Sequence, residues 1–108
     1  MNFPKNPTGA VFTKEFCRNL LTSAEKYDWA IVSDMAYSEI YETRKNVSLL
    51  EFDGGKDRVI ELHSLSKTFS MTGFRTGFAA GNSKIVKSLV KIKSTRGSYL
   101  FGPVQVAG

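Results

Sequence analysis

Apolar and polar positions change period along the chain, and each change marks an element. In TKEFCRNLLTSAEKYD, from Thr13 to Asp28, apolar residues recur every three or four positions with Phe16, Leu20 and Ala24 on one face. This spacing predicts a helix, with Thr13 placed to cap it. WAIVSD, Trp29 to Asp34, is instead a short continuous apolar run closed by a carboxylate, and RVIELHS, Arg58 to Ser64, has the same character. Such runs suit buried parallel strands. GFAAG, ending at Gly81, reads as a third short strand. Beyond it Ile85, Val86, Leu89, Val90 and Ile92 return to helical spacing, with Ser83 as the expected cap. The segment from Asn2 to Thr8 is rich in proline and asparagine and reads as a loop, and FDGGKDR reads as a turn. The pattern is βαβ, without an internal repeat or low-complexity linker. Ligands in open α/β sheets lie at the carboxyl ends of strands, so Asp34 and the segment from Ser64 to Lys67 are expected at one shared site.

Composition limits the scale of the fold. With 108 residues, 42% of them hydrophobic, the chain can build one modest core and forms one domain or part of one. A unit of this size is only marginally stable alone. The single cysteine, Cys17, cannot form an internal disulfide, which points to a reducing compartment, and its place in the helical pattern marks it as core filler. The opening MNFPKNPTG lacks the succession of a signal peptide, and no apolar run approaches the roughly 20 residues that span a bilayer. A cytoplasmic protein with no membrane partner is expected. Asn46-Val47-Ser48 has the form of a glycosylation sequon but no secretory context.

The net charge of +5 is local. Residues 1 to 83 carry ten Lys or Arg against ten Asp or Glu, whereas Lys84, Lys87, Lys91, Lys93 and Arg96 follow with no acid. A basic polyanion-binding module is one reading of that cluster. The other is the solvated face of an amphipathic helix, and it accounts for the interleaved apolar residues without any nucleic-acid partner.

HSLSKTFSMTGFRTGF, His63 to Phe78, concentrates the candidate chemistry. Lys67 abuts Ser66, with Ser64 three residues back and Arg75 eight residues on. Two hydroxyls and a guanidinium near a strand end can hold a phosphate, and a partly desolvated lysine can attack a carbonyl. A solvated strand-to-helix turn with incidental charges is the alternative. With Ser64 to Lys67, three further groups make a set of four. Asn6-Pro7-Thr8-Gly9, Asp34-Met35-Ala36-Tyr37, Ser64-Leu65-Ser66-Lys67 and Gly73-Phe74-Arg75-Thr76-Gly77 stand in order, with 28 residues from Asn6 to Asp34, 33 from Asp34 to Lys67 and 8 from Lys67 to Arg75.

In that order and spacing the chain resembles the class I and II aminotransferases of the aspartate aminotransferase fold family, fold type I, whose signatures read N-P-T-G, D-x-x-Y, S-x-S-K and G-x-R-x-G. The likeness runs from about Asn2 to the end. It implies an α/β fold, a three-layer α/β/α sandwich with a mostly parallel sheet and an antiparallel strand at GFAAG. It also implies pyridoxal 5'-phosphate as cofactor. Lys67 is then the catalytic residue that bonds the cofactor aldehyde as a Schiff base and later moves a proton. Asp34 pairs with the pyridine nitrogen, and Tyr37 and Asn6 hydrogen-bond the ring oxygen. Ser64, Ser66 and Arg75 anchor the phosphate. Each residue has a plainer reading beside this one: Asn6 as a turn former, Tyr37 as packing beside Ile40 and Tyr41, Ser66 as a helix cap, and Gly73 and Gly77 as turn and packing glycines. His63, the only histidine, is expected to pack near the site.

The resemblance further implies that residues 1–108 are a partial large domain, lacking the preceding segment and the small domain that follow the family plan. Amino-acid and 2-oxo-acid substrates and a homodimeric parent are expected. Amino-group transfer is the leading activity; a carbon–sulfur lyase or an acyl-transfer synthase on the same scaffold is the alternative. The stretches NFPKNPTG and YLFGPVQVAG resemble the branch containing aspartate and diaminopimelate aminotransferases.

Overall fold

A computed structural model describes residues 1–43, 46–96 and 102–107; of the YLFGPVQVAG stretch, residues 99–101 and 108 lie outside them. The first helix, α1 (Lys14–Lys26), starts where Thr13 accepts a hydrogen bond from Phe16 N through its side chain, at 3.1 Å. It buries Cys17, Leu21 and Ala24, one position round from the face expected from the sequence. Phe16, unlike the buried Phe12, is exposed. It lies at the rim, stacked on Phe12 at 5.5 Å between ring centroids, while Leu20 packs at the core margin.

Three strands form one mixed sheet in the order β1 (Ile31–Asp34), β2 (Val59–Ser64), β3 (Gly77–Gly81). β1 and β2 are parallel, from Ile31 opposite Val59 to Asp34 opposite Leu62. β3 runs antiparallel to β2, placing Ser64 opposite Gly77. β1 is shorter than WAIVSD, since Trp29 is exposed and stacks on Tyr27. The expected βαβ unit is modified. No long helix joins the parallel strands; among the described residues the connection has a 3-10 turn (Leu49–Glu51) and the four-residue α2 (Gly55–Arg58). Left-handed Gly54, at φ 76°, precedes this short turn of helix, which stops where extended Val59 begins β2, in the stretch that reads from the sequence as a plain turn. The lysine motif forms α3 (Leu65–Thr68).

The core gathers on one face of the sheet, from Phe12, Cys17, Leu21, Ala24, Ile31, Val47, Leu49 and Val59. The first residues add an edge: Asp34 N donates to Met1 O at 2.8 Å and Asn2 forms a parallel bridge with Asp34. Phe3 packs on Phe12 at 4.4 Å, which pins the following loop above α1. After β3 comes α4 (Ser83–Thr95), packed against that strand, and later α5 (Gly102–Ala107). The α4 cap is Asn82, whose Oδ1 accepts from Lys84 N and Ile85 N, and not Ser83. Asn82 wins because its amide also donates to Asp57 O at 2.7 Å, tying the cap to α2. The α4 lysines are exposed, Ile85, Val86 and Leu89 are half-buried, and Val90 and Ile92 are exposed. No helix among the described residues is long and apolar enough to cross a membrane.

Two predictions come from this core. Leu49 is fully buried, so Leu49→Ala should cost about 2–5 kcal/mol; an unchanged thermal midpoint in the full-length protein contradicts its place in the core. Burial raises the Cys17 thiol above its ordinary pKa, with nearby Glu51 and Glu61 pushing the same way and its own backbone hydrogen bond and Arg18 opposing. The unfolded thiol therefore gives up its proton first as pH rises. Its contribution is intact below the unfolded pKa and is lost as pH climbs through the raised folded value. Cys17→Ala should flatten that alkaline loss in chemical denaturation, and dithionitrobenzoate should not modify folded Cys17 at pH 8.

Candidate cofactor site

The site forms where the two parallel strands stop. Asp34 ends β1 with its carboxylate half-buried, and its Oδ1 accepts from Ala36 N at 3.1 Å, which turns the chain sharply toward Tyr37. Met35 N donates to Leu62 O at 2.8 Å, keeping that turn against β2. Tyr37 is half-buried, and its hydroxyl accepts from Asn6 Nδ2 at 3.2 Å. Asn6 reaches it because the bridge at Asn2 and the packing of Phe3 bring the N-P-T-G loop beside the end of β1. Ile40 and Tyr41 are exposed, so Tyr37 is not part of a packed aromatic core there.

β2 ends at Ser64, whose side chain accepts from Ser66 N at 3.2 Å and so caps α3. The cap is therefore Ser64, where the sequence offered Ser66; Ser66 is buried. Lys67 lies one residue farther on the same turn, exposed, with its Nζ 5.9 Å from the centre of the Tyr37 ring. Leu65 N donates to Thr76 O at 3.1 Å, which fastens the lysine turn to the start of β3. Arg75 precedes that contact in a left-handed conformation, φ 53°, with Nη1 donating to Thr72 O at 3.0 Å. Asn6, Tyr37 and Lys67 thus meet through their side chains. Asp34, Ser64, Ser66 and Arg75 are brought to the same end of the sheet by the backbone pairing.

His63 lies flat on Phe78, 4.7 Å between centroids and 5° between planes, and its Nε2 is 3.2 Å from Glu61 Oε2. It packs beside the site, as its strand pattern suggested. Glu61 escaped the sequence reading. An acid amid VIELHS was the available signal, and it is 2% exposed. Gly77 has a steric duty, because a Cβ there would run into the His63 carbonyl. Around Gly73 there is open space, so no steric demand for glycine is seen there. Asn46, the sequon residue, donates to Ser38 O at 2.6 Å from a half-buried position, which engages the nitrogen that glycosylation requires.

Across residues 1–107 the chain matches the family model described as aminotransferase class I and II. The chain belongs to the class I and II aminotransferase family. It is 48% identical to the LL-diaminopimelate aminotransferase of Maridesulfovibrio salexigens over 110 residues, covering 100% of this chain and 28% of that enzyme. With the LL-diaminopimelate aminotransferase of Aquifex aeolicus it shares 50% identity over 109 residues and the same coverage. Among solved structures, the aspartate aminotransferase of Thermotoga maritima superposes with a TM-score of 0.87 at 35% identity, over 96% of this chain and 28% of that one. An aminotransferase from Staphylococcus aureus gives a TM-score of 0.89 at 39% identity, over 97% of this chain and 28% of the other. The chain therefore spans little more than a quarter of these relatives, and the fold is α/β as expected.

The family depends on pyridoxal phosphate, and the residues present fit that group. Among the described residues Lys67 Nζ and Asp34 Oδ2 have no hydrogen-bond partner, which leaves an amine and a carboxylate oxygen free at one sheet end. Gly77→Ala should splay β3 from β2 beside Ser64 and weaken cofactor binding by about ten-fold or more, the order expected when a closely packed binding site shifts. Titration of the full-length apoenzyme with pyridoxal phosphate measures it; unaltered affinity means the hairpin does not shape the site.

Proposed function

We propose that these residues are the cofactor-anchoring part of the large domain of a longer enzyme. That enzyme transfers an amino group between an amino acid and a 2-oxo acid. The observation that carries this reading is the approach of Lys67 Nζ to the Tyr37 ring, with Asn6 bonded to the Tyr37 hydroxyl. Pyridoxal phosphate supplies an aldehyde for covalent capture of amines and a ring that accepts electrons from the carbon losing its proton.

The side chains divide the work of holding that group. Lys67 would supply the amine that holds it and the base that moves a proton at the substrate α-carbon. Asp34 would hold the ring nitrogen and keep a proton there by its charge. Tyr37 and Asn6, linked to each other at 3.2 Å, would together hold the ring oxygen. Arg75 supplies a fixed positive charge to the phosphate, assisted by the hydroxyls of Ser64 and Ser66. The Ser64 hydroxyl accepts from Ser66 N and still has its own proton to donate.

All seven residues serve the cofactor, so amino-group transfer rests on the named relatives, and the choice of amino donor is not made by these side chains. We extend the proposal to a cytosolic homodimer. Exposed Val32, Ile40, Tyr41, Phe69 and Phe74 support the need for further protein against this part.

Borohydride reduction of the full-length enzyme followed by peptide mapping should place the pyridoxyl label on Lys67. Lys67→Ala should lose that label and lower kcat by about 10⁴-fold or more, in keeping with loss of a covalent and proton-transferring group. A label on another lysine sinks the assignment. Release of ammonia with a 2-oxo acid, in place of amino transfer to an acceptor, turns the reading to a lyase. Purified residues 1–108 alone should show no turnover.

A further inference from the structure

Glu61 is a buried acid that the cofactor reading leaves without a task. Its Oε1 accepts from Ser48 Oγ at 2.8 Å and from Leu49 N at 3.0 Å, and its Oε2 lies 3.2 Å from His63 Nε2. In this contact the His63 ring and the Glu61 carboxyl share one proton-bearing hydrogen bond, the donor being set by the tautomer. Burying such a charge is costly unless donors surround it, and here they come from two directions.

One direction leads to Tyr37. Ser48 and Leu49 open the 3-10 turn, and two residues earlier Asn46 donates to Ser38 O at 2.6 Å. Ser38 is buried and follows Tyr37, and its own N donates to Met35 O at 3.0 Å. The turn that presents the Tyr37 ring is thereby tied to the segment that Glu61 grips. The other direction leads to the lysine turn. His63 stacks on Phe78, and the next pair in the register is Ser64 with Gly77, followed by the bond from Leu65 N to Thr76 O. Lys67 and Arg75 leave the sheet just beyond those pairs.

We propose that Glu61 is a positioning residue that sets Tyr37 and the Lys67 turn in one mutual placement, through Ser48 and Asn46 on one side and His63 and Phe78 on the other. It touches neither the cofactor nor the substrate. The inference rests on the site reading of the preceding subsection, because positioning has meaning only if Tyr37 and Lys67 share a ligand.

A double-mutant cycle on the full-length apoenzyme tests it, read as the dissociation constant for pyridoxal phosphate. In the otherwise unchanged enzyme Tyr37→Phe should weaken binding about five-fold or more. In a Glu61→Gln background the same change should cost less than about two-fold, since groups coupled through one network are not additive. Ser48→Ala removes one donor and leaves the Leu49 and His63 contacts, so it should show the same coupling to a smaller extent. It decides the matter alone if Glu61→Gln does not fold. Amide exchange at Leu49 and from Tyr37 to Ile40 should quicken in both variants. Equal fold-losses for Tyr37→Phe in every background would mean that Glu61 serves stability only, and the proposal is overturned. If Tyr37→Phe leaves affinity untouched in the otherwise unchanged enzyme, the site reading itself fails and takes this inference with it.

Discussion

The parallel pairing of Ile31–Asp34 with Val59–Leu62 is the constraint on which the rest depends. Parallel strands end on the same side of a sheet, and their last backbone groups must find partners beyond the ladder. Here Leu62 O is met by Met35 N, Asp34 Oδ1 takes Ala36 N, and Ser64 takes Ser66 N. Closing the strand ends in this way directs two segments of the chain across one edge, the first toward Tyr37 and the second toward Lys67. Because β3 is antiparallel to β2, its entry also lies at that edge, and Arg75 arrives there without any contact of its own to Asp34. The site is thus a consequence of how the sheet terminates.

Beneath that edge the sheet face is not uniformly apolar. Ile31 and Val59 are buried there, and the next inward positions are Ser33 and Glu61, paired in register. Replacing two core positions by a hydroxyl and a carboxylate lowers the hydrophobic contribution and adds a desolvation cost. In exchange the interior gains directional contacts, since Glu61 fixes two donors 12 and 13 residues away in sequence. Apolar packing alone tolerates small slides of one segment past another, whereas a carboxylate with bonded donors does not. The polar position lies just where a slide would alter the mutual placement of the site residues.

Legibility followed the range of the interactions. The strands and the helix stretches were readable because period is local, and the lysine motif because residue types at fixed short spacing encode it. Failures came where a distant partner decided. The buried stripe of α1 is Cys17, Leu21 and Ala24, clustered with Ile31 and Val59 of the sheet, and Phe16 falls at the rim of it. Asn82 caps α4 in place of Ser83 because Asp57 O, 25 residues earlier, rewards its amide. Ser64 caps the lysine turn because the strand ends there, a fact invisible in the tetrad Ser64-Leu65-Ser66-Lys67. Glu61 was missed since an acid in a strand gives no sign of where its donors lie. What chemistry needs was written locally; what holds it still was not.

That division has a physical reading in the lysine itself. The Lys67 amine is exposed and touches the Tyr37 ring at 5.9 Å, an interaction that at exposed positions contributes about 0.5–1 kcal/mol. So weak a hold restrains the side chain without trapping it, which suits the role proposed for Lys67, since that role needs an amine free to move. The backbone beneath it has no such freedom. It is capped by Ser64, bonded to Thr76 O, and adjoins strands in which Gly77 leaves no room for a side chain against the His63 carbonyl. A bonded backbone beneath a loosely held amine would let that amine swing over a small arc from a fixed origin, so on the proposed reading the accuracy of the site depends on the buried contacts below it and not on the amine.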